Sequence, residues 1–205
     1  MRRPSQPVRY ASISFAMRHK YETRGIVLSR SPLGEANAFV MVLTPELGLV
    51  RARAQGLRAS GAKLAHALTT FAESSLVLVR GKEGWRLAGA MLEENWFKRM
   101  QSAPPRERAA RVSGLLLRLV AGEAHDTTLF PIMSGFFSAL SEHPEEQHEA
   151  VEMLAALRTL AALGLDVGGI PGEPSAFTPP LLAAVAEDRT AYITRINHGI
   201  ATSGL

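Results

Sequence analysis

The 205-residue chain carries 23 Lys and Arg against 19 Asp and Glu, a formal net charge of +4, and has no cysteine. The missing cysteine excludes disulfides, thiolate nucleophiles and cysteine-ligated zinc, and no apolar run approaches the roughly 20 residues needed to span a bilayer. The basic excess lies at the front, where residues 1–63 hold eleven Lys or Arg and three Glu, a balance that suits a polyanionic partner.

Residues 1–20 contain Pro4 and Pro7 and show no sustained period; they read as a basic arm, with Met17 as an alternative start. Five strands are expected after it. The first covers about Glu22–Arg30, where Gly25 suits a bulge or close backbone approach, and Ser31-Pro32-Leu33-Gly34 turns the chain. The second covers about Ala38–Leu43, and Pro45–Gly48 connects it to a third at about Leu49–Gln55. Side chains alternate at period two, so Arg51, Arg53 and Gln55 share one face of that strand and Val50, Ala52 and Ala54 the other. Leu57–Thr70 reads as a loop with a short helical turn; strands four (Ala72–Arg80) and five (Trp85–Glu93) flank the hairpin signal Gly81-Lys82-Glu83-Gly84. Closing five strands on themselves removes the exposed edges, and an oligonucleotide/oligosaccharide-binding (OB) barrel is the smallest common way to do so. Phe39 and Phe71 are assigned to the barrel core, and Trp96-Phe97 to a seal between the barrel and the C-terminal half.

Pro104-Pro105 marks a change of texture, and helices are expected from there. Ala109, Val112, Leu115, Leu116 and Leu119 recur at three- and four-residue steps within Arg106–Ala121. A second helix starts near Asp126 as N-cap, and a third runs from Pro144 to about Gly164. Leu165–Thr178, rich in glycine and proline, is a loop; Pro179 opens a short helix, and a last one covers about Glu187–Thr202. The fold class is α+β: residues 1–20 as arm, 21–100 as OB barrel, 101–205 as an all-α domain.

The candidate site is the basic set Arg24, Arg30, Arg51, Arg53, Arg58, Lys63, Arg80, Lys82 and Arg86. The planar guanidinium fork matches phosphate oxygens, and a groove of such groups tracks a nucleic-acid backbone with little sequence preference. Met133, Phe136 and Phe137 form an apolar set read first as core and second as a groove for a partner peptide. No catalytic residue, metal site or cofactor is assigned. His143 and His148 are five apart, so on a helix they diverge by about 140°; His125-Asp126 lacks a nucleophile elbow, and no phosphate-binding glycine fingerprint is present. A protein-interaction scaffold, an RNA-binding module and an enzyme acting at His125 or His143 are the alternatives.

The phrases Glu22-Thr23-Arg24-Gly25-Ile26-Val27-Leu28, Pro32-Leu33-Gly34-Glu35-Ala36, Leu43-Thr44-Pro45-Glu46-Leu47-Gly48-Leu49-Val50-Arg51 and Gln55-Gly56, with the Lys63-Leu64 step, resemble the N-terminal domain of the RecO family over about residues 20–97. That resemblance implies an OB-fold followed by a helical domain in a bacterial cytoplasmic, nucleoid-associated mediator of DNA recombination and repair. It implies binding of single- and double-stranded DNA, strand annealing, contact with the C-terminal tail of single-strand-binding protein, and work with RecR to load RecA. Arg24, Arg51 and Lys63 match the family's basic positions most clearly, and Arg30, Arg53 and Arg58 join them by local geometry. The Gly56–Lys63 segment is sparser in Lys and Arg than is usual in the family, and the cysteine zinc module of many members has no counterpart here.

Overall fold

The structure, a computed structural model, describes residues 19–35, 37–55, 63–120 and 126–205. The arm up to residue 18, Arg58 and His125 lie outside the described residues. Strands β1 (Lys20–Leu33), β2 (Asn37–Thr44), β3 (Gly48–Ala54), β4 (Ala72–Gly81) and β5 (Gly84–Asn95) are followed by helices, with one short helix, α1 (Lys63–Ala67), between β3 and β4. The α+β order expected from the sequence holds, and every strand end falls within three residues of expectation. Lys20, assigned to the arm, begins β1 instead.

The sheet closes in the order β1-β2-β3-β5-β4, and β4 pairs back onto β1. All neighbours are antiparallel except β3 and β5. Alternation fills the interior with Val27, Ala38, Val40, Val42, Val50, Ala52, Ala54, Leu76, Leu78, Trp85 and Leu87. Gly25 provides the close approach its type allows, while the irregularity in β1 falls between Val27 and Ser29. The β2–β3 turn is tied by Thr44, whose Oγ1 accepts from Leu47 N at 3.0 Å and donates to Gly48 O at 3.1 Å.

Two aromatic assignments are corrected. Phe39 belongs to the outward pleat of β2, and Phe71 packs among the helices with its ring centroid 5.1 Å from that of Phe137. The physical reason is volume: an interior filled largely by Ala and Val leaves no room for two more rings. Trp96 is buried, as a seal should be, but Phe97 stands 42% exposed.

The helices are α2 (Trp96–Arg99), α3 (Ala103–Leu119), α4 (Leu129–Glu142), α5 (His148–Ala162), α6 (Pro179–Glu187) and α7 (Arg189–Thr202). Pro104 and Pro105 fall in the first turn of α3, where a missing N–H costs nothing. Helix α4 begins later than expected. Thr128 occupies the cap position, and Asp126 accepts from Thr128 N at 2.7 Å and Oγ1 at 2.6 Å, so its carboxylate shapes the turn before the helix rather than capping it. A 3-10 turn (Glu145–Gln147) precedes α5, where one continuous helix was expected.

A second apolar cluster joins barrel to helices: Ile26, Leu28, Leu43 and Leu49 on the outer wall meet Phe71, Trp96, Met133, Phe136, Phe137 and Leu154. Met133, Phe136 and Phe137 have no accessible surface, and burying side chains of this size contributes about 1.5–3 kcal/mol each. They form the junction core, so the peptide-groove reading of these three is set aside.

Candidate nucleic-acid interface

Outward-facing side chains of neighbouring strands form rows around the barrel. In one row Ser31 pairs with Phe39, Phe39 with Arg53, and Arg53 with Arg86. Arg51 lies two residues from Arg53 on the same face and pairs with Met41. The β2–β3–β5 wall therefore carries three arginines and two large apolar side chains on one surface.

Arg53 and Arg86 occupy facing positions on adjacent strands, and like charges so placed repel. Among the described residues no carboxylate forms an ion pair with Arg51, Arg53 or Arg86. The helical part behaves differently. There Arg108 and Arg111 converge on Glu152, Arg189 reaches Glu149 at 2.8 Å, Arg195 reaches Asp166 at 2.6 Å, and Arg99 reaches Glu142 at 3.1 Å. Among the described residues the wall is thus a positive surface without ion-paired carboxylates, an arrangement that favours an external anion.

The remaining basic positions divide into four groups. Arg24 is removed from the wall: its Nη2 donates to Glu73, its Nε lies 3.4 Å from Glu93, and hydrogen bonding to Glu73 raises its guanidinium above the ordinary arginine value. It borders a cavity of about 460 Å³ lined also by Trp96, Phe130, Ser134, Glu142 and Phe177. Arg30 pairs with Val40, an inward residue, and so falls on the opposite pleat from Arg51 and Arg53. At the β4–β5 hairpin end, Arg80 lies over Trp85, 5.0 Å from its ring centroid, and Lys82 is exposed in the turn beside them. Tyr21 meets the same indole edge-on at 5.1 Å. Lys63 opens α1; its side chain and the whole of Arg58 lie outside the described residues.

Sequence reading missed Phe39 and Met41 as members of this wall. Alternation puts Phe39 and Met41 on the face opposite Ala38, Val40 and Val42, but both faces are apolar, so alternation alone does not say which one is the interior. Glu73 was also missed; its interactions reach residues 49 and 61 positions away.

Residues 17–92 match the family described as Recombination protein O N terminal. The chain is 32% identical over 146 residues to the DNA repair protein RecO of a Synechococcus species, covering 68% of this chain and 50% of that one. It is 29% identical over 154 residues to that of Gloeobacter violaceus, covering 75% and 57%. With that of Dehalococcoides mccartyi it shares 27% identity over 115 residues, covering 56% and 46%. The chain spans about half the length of these curated relatives. No helix among the described residues is long and apolar enough to cross a membrane.

Proposed function

We propose that this chain, a RecO-family protein by the match of its N-terminal residues, binds DNA through the β2–β3–β5 wall of an OB-type barrel and acts without catalysis or cofactor as a recombination and repair mediator. The observation that carries the reading is the Arg53–Arg86 juxtaposition with Arg51 on the same face, uncompensated among the described residues. Guanidinium groups arrayed this way neutralise phosphates and release their counter-ions. The strand order and the single parallel β3–β5 pair suit an OB-type barrel.

Such a wall serves single and double strands alike, because it engages the backbone. Annealing stems from the same physics: a cationic surface lowers repulsion between two polyanions and leaves their bases free to pair. Residues 101–205 form the second domain of this reading and meet the protein partners, namely the tail of single-strand-binding protein, RecR, and indirectly RecA. Arg30, Arg80 and Lys82 extend the contact at its margins, Arg58 and Lys63 keep the phosphate role that their sequence positions suggest, and Arg24 contributes through the junction it holds.

Titration of fluorescent single-stranded DNA at several salt concentrations tests the proposal. Affinity is expected to fall linearly on a log–log scale as salt rises, and Arg51→Glu with Arg53→Glu to abolish it. An interaction scaffold would instead retain its protein partners and show no salt-dependent DNA binding to lose.

A further inference from the structure

We infer that Phe39 and Arg51 together form a stacking platform for one unpaired base, which makes the wall a single-strand subsite as well as a phosphate track. This rests on the nucleic-acid reading above and deepens it. The Arg51 guanidinium carbon lies 3.9 Å from the Phe39 ring centroid, the separation of a stacked pair. The two residues are diagonal neighbours across β2 and β3 on the outer pleat, and Arg51 is exposed while Phe39 is half-buried. The ring thus backs the guanidinium of an exposed arginine.

Bases stack on aromatic rings and on guanidinium planes alike. A base needs its face free to do so, which a duplex does not allow. The charge needed to hold the same strand lies alongside: Arg53 pairs with Phe39 and Arg86 with Arg53, one and two strands away, or about 5 and 10 Å. That spacing is within reach of a nucleotide measured from its base to its own and the next phosphate. Met41, paired with Arg51, packs against the junction cluster and so bounds the platform on its helical side. The charge complementarity that draws in the backbone therefore also delivers a base to the stack.

The test compares three probes of equal length and label: oligothymidylate, an abasic oligonucleotide and a duplex. Each is titrated against the full chain and its Phe39→Leu and Arg51→Lys variants at one low salt concentration. Arg51→Lys retains the charge and removes the plane, so it separates stacking from phosphate contact. The expected result is a loss of roughly tenfold on oligothymidylate for each variant, with distinctly smaller losses on the abasic and duplex probes. Unchanged oligothymidylate affinity, or equal losses on all three probes, would overturn the platform and leave a purely electrostatic wall. Binding of no probe by the unaltered chain would overturn the nucleic-acid reading itself. If Phe39→Leu lowers the thermal midpoint, Arg51→Lys decides the matter alone.

Discussion

Arg24 on β1 donates from Nη2 to the carboxylate of Glu73 on β4, and that carboxylate, only 2% exposed, also accepts from Trp96 Nε1 at 3.2 Å and from Ser134 Oγ on α4 at 3.4 Å. One buried acid therefore ties barrel, seal and helix. Its role is mechanical, and Arg24 is the cation that permits its burial. Glu73→Leu should lower stability by about 1–3 kcal/mol, because the buried Trp96 N–H then lacks an acceptor. Urea denaturation would register this as a lower midpoint. Arg24→Ala should likewise lower the midpoint while weakening DNA binding much less than Arg86→Ala does; equal drops in affinity would place Arg24 in the DNA contact after all.

Arg53 and Arg86 predict effects of opposite sign on folding and binding. Replacing Arg86 by Glu turns a repulsive cross-strand pair into an attractive one, a change of roughly 0.2–1 kcal/mol in favour of the fold. The same change removes a group proposed to contact phosphate. The thermal midpoint should rise slightly while single-strand affinity falls, and the log–log salt slope should shrink by about 0.7 for each phosphate no longer neutralised. A variant that lost stability and kept its slope would show that the pair is not what shapes the wall.

How much of this could be read from residues alone depends on the distance over which the information acts. Strands were legible because alternation is local: Arg51 and Arg53 fall on the outer face and Ala52 and Ala54 on the inner one, as period two requires. Phe39 and Phe71 were not, because both faces of their segments are apolar and the choice of face depends on how much volume a five-strand barrel encloses. The basic set was legible as residues but not as a surface. What separates Arg24 and Arg30 from Arg51, Arg53 and Arg86 is an acid 49 positions away in one case and a bulge that shifts pleat parity in the other.

Gly25 faces the barrel interior where space is tightest. A Cβ there would come within 2.5 Å of Val42 Cγ1 and 2.7 Å of Leu76 Cδ1. Both neighbours are branched chains in the packed interior, so Gly25→Ala should cost about 1–3 kcal/mol through overpacking. The denaturant midpoint should fall with the slope unchanged. A neutral outcome would mean that β1 can shift outward at this point without disturbing the junction.

Arg158 is a buried cation whose hydrogen-bond partners are all backbone: Nη1 donates to Pro174 O at 3.0 Å and Ala176 O at 2.7 Å, and Nη2 donates to Pro171 O at 3.0 Å. Its guanidinium carbon also lies 4.9 Å from the Phe177 ring centroid, and burial lowers its pKa from the ordinary arginine value. The side chain thus stands in for the regular hydrogen bonding that a glycine- and proline-rich loop cannot supply, and it straps residues 165–178 to α5. Loop and α4 are in contact as well, since a Cβ on Gly135 would lie 2.4 Å from Ser175 O. Arg158→Lys offers a compact ammonium in place of the planar fork; it should leave at least one carbonyl unpaired, lower stability by about 1–3 kcal/mol, and open the loop to limited proteolysis. Arg158→Met removes every donor and should cost more than Lys if the three hydrogen bonds outweigh the desolvation of the charge. If Met proves as stable as Arg, desolvation and hydrogen bonding were in balance, and the loop is held by the packing of Phe177 against Phe136 instead.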